Sequence, residues 1–584
     1  MRFKLINVAF IGAILLGAAS CVKVNEELGG NFIPTDQQWN VFPCEAEPLE
    51  GITMERSDSL SGYSTTRFTF GSVKDDNFTS SNSTSFTLVP LSDSLDFGEE
   101  TQVLQFHLTA IRDTVSVLYD RQQKMLQNFY VRPLLKPLDS TVLYTGTFND
   151  EQILKEYVDL NRIISEGIPV YDGGDSLSFN FSKEYAMEVI EGIGRWQAIE
   201  DERRDSLKYY LEEVPGIYIH TKEQTDNGGR INMFELPIST ADGYLDGNYA
   251  ELKIRAKYDG RLTDTLFVFY FGPTELIDED ATSYPSQLCL NTCRNTAGDN
   301  FKENWEAGSR ESLYVEGGSG FKPVVRAREV KDIVERLIQQ EAPEVDVNSV
   351  VINKATIILP YNVGTDYEKL DKYPMILSPT VKVPINDGDY VSYAGLTDSS
   401  IESENQGDIN RSLGIYSPDV SHHVQEIFKL KRGEGKNIDA QETEAEFEKR
   451  LSKYDIWFLI LHEEITESSS SNNNYNDYYN NLLYNSYYNN MMYDPYGYGY
   501  GYGGYGGYGY GGYGYGGYGG YGYNNYYNYL MMAQYASASN SSTTTSSSVE
   551  LDKDRFYSAV LNGPGASDSP KLKITFSAPK KAEE

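Results

Sequence analysis

The chain has little of what metal and thiol chemistry needs. Among 584 residues there are 4 Cys and 5 His, and no further ligand stands at zinc-site spacing beside Cys289 and Cys293. Positive charge is also scarce. The 50 Lys and Arg face 85 Asp and Glu, a net charge of -35. That balance excludes nucleic acid as a partner, because phosphate binding needs clustered cations, and it argues against electrostatic docking on anionic membranes. There is no GxSxG elbow, P-loop or dinucleotide fingerprint. Carboxylates are abundant, but no pair stands out as acid and base. No cofactor, no metal and no enzymatic activity are therefore expected.

What is present begins with an export signal. Arg2 and Lys4 precede an apolar run from Leu5 to Ala19, too short to span a bilayer as a mature helix. The run ends in small residues before Cys21, which resembles the bacterial lipoprotein cleavage box and makes Cys21 the expected site of diacylglycerol and palmitate attachment. Glu26 and Glu27 resemble a short acidic tag for the outer face of the outer membrane. Gly29, Gly30 and Pro34 break any regular element in the tether that follows.

From there the pattern is that of β-strands: RFTFG (Arg67 to Gly71), SFTLV (Ser85 to Val89), VLQFHLTAI (Val103 to Ile111), FYVRPLL (Phe129 to Leu135). Short helices are expected over Lys183 to Ile190, Asp201 to Glu213 and Arg328 to Gln340. Five segments recur in the same order in the two halves. QFHLTAI (Gln105 to Ile111) matches KATIILP (Lys354 to Pro360), and SLSFNFSKEYAMEVI matches SLGIYSPDVSHHVQEIF, a strand and then a short helix each time. PGIYIHTKE matches DIWFLILHEE, INMFELP matches FYSAVLNGP, and AELKIRA matches PKLKITF. The expected fold is mainly β: two antiparallel, jelly-roll-like β-sandwich domains with short helices. The expected boundaries are a signal peptide over 1–20, a lipidated tether over 21–45, one sandwich over 46–275, a connecting loop over 276–311 and a second sandwich over 312–584.

The second half carries a tract, 468–548, whose charged residues are Asp477 and Asp494, the rest being largely Ser, Asn, Gly and Tyr. It has no apolar periodicity, so it reads as a disordered insertion in the hairpin that a short turn closes in the first half. Tyr496, Tyr498, Tyr500, Tyr502, Tyr505 and Tyr508 form a candidate aromatic contact loop. It suits a glycan, a protein or a second copy of itself, and a tolerated low-complexity insertion without a specific partner is the slightly favoured alternative.

Other candidate sites are slight. Cys289 and Cys293 are a candidate disulfide that would leave Cys44 unpaired. His422 and His423 read as surface residues, while His220 and His462, at equivalent strand ends, read as structural. Asp followed by Ser or Thr and an aliphatic residue places candidate O-glycosylation at Ser59, Ser94, Thr114, Ser176, Ser206 and Thr265.

With Cys21, the stretches SLYVEGGSGFKP (Ser312 to Pro323), VINKATIILP (Val351 to Pro360) and SAVLNGPGASDSPKLKITFSAP near the end resemble the Bacteroidetes lipoprotein family called domain of unknown function 4270. The resemblance covers most of the mature chain and implies an exported lipoprotein; no activity or catalytic residue comes with it. The closing segment also resembles jelly-roll modules that end in P-x-L-x-I-T-Y, with Phe576 in place of the Tyr. The expected function is an outer-membrane-anchored, surface-exposed lipoprotein that works as a binding or structural module, with a glycan or an envelope protein as partner. The alternatives are an accessory subunit of an envelope transport or assembly complex and a glycan-active enzyme.

Overall fold

The structure, a computed structural model, describes residues 38–580 except 58, 92–94, 114–124, 140–141, 143, 146–147, 149–150, 201, 237, 242–243, 278–284, 386–389, 401–404, 436–437 and 470–542. Among the described residues strand accounts for 43% and helix for 22%, so the protein is mainly β, with several antiparallel sheets and short helices.

The principal strands of the N-terminal half are β1 (Trp39–Pro43), β2 (Thr53–Arg56), β3 (Arg67–Lys74), β4 (Phe78–Phe86), β5 (Glu99–Ile111), β6 (Gln127–Pro133), β7 (Ser176–Asn180), β8 (Ile217–Thr221), β9 (Gly228–Glu235), β10 (Tyr249–Tyr258), β11 (Arg261–Phe271) and β12 (Cys289–Ala297). Those of the C-terminal half are β13 (Ser312–Glu316), β14 (Phe321–Val325), β15 (Val351–Pro360), β16 (Ile376–Ile385), β17 (Ile415–Tyr416), β18 (Ile456–Ser469), β19 (Thr543–Leu551), β20 (Ser558–Asn562) and β21 (Lys571–Pro579). Helix α1 (Lys183–Gln197) follows β7, α2 (Ala327–Glu341) follows β14, and α3 (Ser421–Lys429) follows β17.

The strand orders of the two halves correspond. In the N-terminal unit one sheet runs β7-β5-β10-β11 and another β6-β8-β4-β12, with β9 on β3. In the C-terminal unit the orders are β17-β15-β21-β1 and β16-β18-β14-β2, with β20 on β13. All five sequence matches fall on equivalent strands: β5 with β15, β7 with β17, β8 with β18, β9 with β20, and β10 with β21.

Each unit has one main core fed by both of its sheets. In the first, Phe106 and Leu108 of β5, Leu252 and Ile254 of β10, Phe129 of β6 and Ile219 of β8 meet Ala186, Val189 and Ile193 of α1. Alternation builds this: along β10 the buried residues are Ala250, Leu252, Ile254 and Ala256. Ser182 caps α1 by accepting from the Tyr185 N–H at 3.2 Å. In the second unit, Ala355, Ile357 and Leu359 of β15 and Leu572, Ile574 and Phe576 of β21 meet Val330, Val334 and Leu337 of α2 and Val424 and Ile427 of α3.

Two expected boundaries differ from what forms. The stretch 276–311, expected as a connecting loop, contains β12, which pairs with β4 from Leu290↔Ser85 to Ala297↔Phe78. The N-terminal stretch, expected as tether and start of the first unit, instead completes the second. Strand β1 pairs with β21 (Trp39↔Pro579) and β2 pairs with β14, while Cys44, Leu49 and Ile52 enter the second core. The physical reason is that both units need the same two flanking strands. The first takes them from the chain that follows it, and the second takes them from the chain's beginning.

Candidate functional site

Between the units runs a buried polar seam. Strand β4 reads FTSSNSTSF and is buried along most of its length, so its Ser and Asn side chains must find partners inside. Ser83 Oγ lies 2.8 Å from Thr292 Oγ1 of β12. Asn82 donates to Thr69 Oγ1 at 3.2 Å. Asn291 accepts from the Thr69 N–H at 3.0 Å and donates to the Arg67 carbonyl and to Asp554 Oδ1, both at 2.9 Å. Asp554 Oδ2 in turn accepts from Ser64 Oγ at 2.9 Å.

The C-terminal unit contributes two pieces. One is the segment before β20. Asp552 pairs with Arg555 at 2.8 Å and accepts from Tyr557 Oη at 2.7 Å. Burial pushes the Asp552 carboxyl up, but Arg555 and Tyr557 outweigh it and hold it below the usual carboxylate range. Burial, and then the Asp552 charge, push the Tyr557 phenol up. Lys553 reaches across to the carbonyls of Ser61 and Tyr63.

The other piece is the turn Gly317–Gly320 between β13 and β14. The Lys322 ammonium donates to the carbonyls of Glu316, Gly318 and Gly320, and Ser57 Oγ donates to the last two at 3.1 Å. Burial lowers the Lys322 pKa and raises that of Glu316. Glycine is required here. Gly318 has φ +53, and a Cβ on it would lie 2.9 Å from Cys293 Cβ; one on Gly317 would lie 2.2 Å from the Arg555 carbonyl oxygen.

Two crevices flank Cys293 in this seam, one lined by Asn82, Asn291, Gly318 and Lys553, the other by Ser80, Gly317 and Arg555. Each encloses about 10 Å³, room for one water at most. The seam can lock two units together, with its carboxylates already engaged by Arg555, Tyr557, Ser64 and Asn291. Among the described residues no group of three or more His, Cys, Asp and Glu is placed to hold a metal ion, and no helix is long and apolar enough to cross a membrane.

The candidate disulfide does not form. Cys289 and Cys293 lie four residues apart on the single strand β12, roughly 13 Å along it, and a disulfide needs Cα atoms within about 7 Å. Both are free, as is Cys44. The Cys289 thiol donates to the Arg67 carbonyl at 3.1 Å and the Cys293 thiol to Asn295 Oδ1 at 2.8 Å. Burial raises all three thiols, Cys44 to about 11 and Cys293 to about 12, which leaves them unreactive.

His423 corrects the surface reading of the His pair. His422 is exposed, but the next residue turns into the core, where Nε2 of His423 meets the Tyr454 carbonyl at 2.9 Å. Burial lowers its pKa to about 4, and does the same to His220, which stacks between Tyr130 and Tyr218.

The glycosylation candidates are scattered. Ser176 is exposed at the start of the edge strand β7, and Thr265 is half-buried on β11. Ser206 is half-buried at the N-cap of the helix Leu207–Glu213, and Ser59 lies 3.3 Å from Tyr393 Oη. Ser94, Thr114, Cys21 and the six tyrosines from Tyr496 to Tyr508 lie outside the described residues. Sequence reasoning missed the seam altogether. Its one legible signal was the charge cluster Asp552 to Arg555, set just before a closing strand. Compared with protein-family models, with curated proteins and with solved structures, the chain matches none.

Proposed function

We propose that this is a lipoprotein anchored through Cys21 to the outer membrane, facing the exterior, and that it acts as a binding or structural module of the envelope. In this reading each unit is a β-sandwich. Of the tract 468–548, Ser468–Ser469 and Thr543–Ser548 fall on the paired strands β18 and β19, and the remainder, 470–542, is a disordered arm offered to a glycan or an envelope protein. The observation that carries the reading is the mounting of that tract. Strands β18 and β19 pair from Leu461↔Leu551 to Ser469↔Thr543, whereas β14 and β16 pair with β18 only as far as Leu461. The remaining eight residue pairs form a two-stranded ribbon roughly 25 Å long that carries both ends of the tract. Kinship with the lipoprotein family named above belongs to the same proposal. Its three strand-bearing stretches fall on β13 to β14, β15 and β20 to β21, all in the C-terminal unit.

Protease shaving of intact cells, read beside a periplasmic control, tests the orientation. Loss of this protein alone is expected. Protection of both would overturn exterior display and favour an accessory subunit of an envelope machine. Palmitate labelling that disappears in Cys21→Ser tests the anchor.

A further inference from the structure

The outer face of the sheet β1-β21-β15 combines features that are otherwise scarce in this acidic chain. Phe42 of β1 stacks on Phe576 of β21 at 4.9 Å on the core side, so its neighbours Trp39 and Val41 point outward and are 49% and 61% exposed. Val41 sits opposite Ser577, and Ser577 sits opposite Val351, itself 41% exposed. Cationic side chains continue the same face: Lys571 and Lys573 of β21 and Lys354 of β15. Asp419 pairs with Lys354 and Asp568 with Lys571. Lys573 is exposed.

We propose that this face docks on the anionic bilayer surface to which Cys21 anchors the chain. The inference rests on the proposed anchor and deepens it. A fully extended chain from Cys21 to Trp39 reaches roughly 60 Å, so the anchor permits docking without forcing it; the face supplies the reason. Tryptophan is the side chain most at home at the headgroup level, and each Lys near an anionic surface adds attraction that is felt only within about 10 Å. The net charge of -35 is therefore no bar to a local cationic face.

The test uses Trp fluorescence of the full-length lipidated protein in vesicles of phosphatidylethanolamine and phosphatidylglycerol with brominated acyl chains. Trp196 and Trp457 are buried and Trp305 is partly buried, so Trp39 is the residue such lipids can reach. Quenching is expected in the wild type and should vanish in Trp39→Phe. Lys573→Gln should weaken vesicle binding of the Cys21→Ser chain roughly fivefold. An unquenched wild type that still carries the palmitate label would overturn docking alone, as would equal quenching in Trp39→Phe. Absence of the label at Cys21 would overturn the anchor and the docking with it.

Discussion

The two units share a strand order but not a way of closing it. In the N-terminal unit the flanking strands β11 and β12 follow directly in the chain. In the C-terminal unit the equivalent places are filled by β1 and β2, made more than 500 residues before the strand β21 that β1 pairs with (Trp39↔Pro579). The first unit can complete its sheets as soon as residue 297 exists, while the second waits for its last strand. Such non-local pairing is slow, because loop closure precedes any reward. The arrangement also sets Trp39 opposite Pro579.

The largest expected effect comes from breaking that closure. Deleting residues 39–56 removes β1, β2 and the buried Cys44, Leu49 and Ile52. At about 1.5–3 kcal/mol per buried apolar side chain, the loss is comparable with a whole domain's stability. Amide exchange should show β15 and β21 losing protection while β5 and β10 keep theirs. Equal loss in both units would show that the seam makes them a single cooperative body.

Each unit also holds one buried ion pair beside the seam: Arg67 with Asp113 at 2.8 Å in the first, and Arg555 with Asp552 at 2.8 Å in the second. Removing one partner strands a buried charge, so Asp552→Ala and Arg67→Met should each cost about 3–5 kcal/mol in urea unfolding. The double change Asp552→Leu with Arg555→Met should recover most of it. Arg67 also lowers the Asp552 pKa, so changes in the two pairs are expected to be non-additive.

The third comparison is between a buried and an exposed histidine on one helix. Burial lowers the folded-state pKa of His423 to about 4, whereas the unfolded value is about 6.5. Between those values the unfolded chain binds more protons than the folded one, so stability is fully present above pH 6.5 and is lost as pH falls toward 4. The loss is roughly 3 kcal/mol. Stability against pH for His423→Gln should be flatter than wild type over that window.

What was legible in the sequence follows from these contrasts. Strands with one face in a core, such as β10 and β21, alternate and were readable. So was the duplication, because equivalent strands keep equivalent patterns. Strand β12 (CLNTCRNTA) was not, since its partners in the seam are polar and it carries Asn and Thr where a core strand would carry Val or Ile. The same holds for the first half of β4. No local pattern in WNVFP tells that its partner is the last strand of the chain. The seam as a whole was hidden because it joins residues as distant as Ser64 and Asp554, and hydrogen-bonded polar side chains leave no periodic trace.

The smallest effect concerns the one connection in which the units differ most. The N-terminal unit joins β8 to β9 through residues 222–227; the C-terminal unit joins the equivalent strands β18 and β20 through 470–557, a stretch that holds the extra strand β19 and, between β18 and β19, residues 470–542. Closing a loop about twelve times longer costs about 2 kcal/mol in chain entropy, and that figure is an upper bound if the ribbon itself resists fraying. Replacing 470–542 with the sequence of 222–227 should therefore raise the unfolding free energy of the C-terminal unit by no more than that and leave the N-terminal unit unchanged. A fall in stability instead would mean that the tract packs on the folded protein. It would then be part of the C-terminal unit's structure, and the two units would differ in kind as well as in the length of one loop.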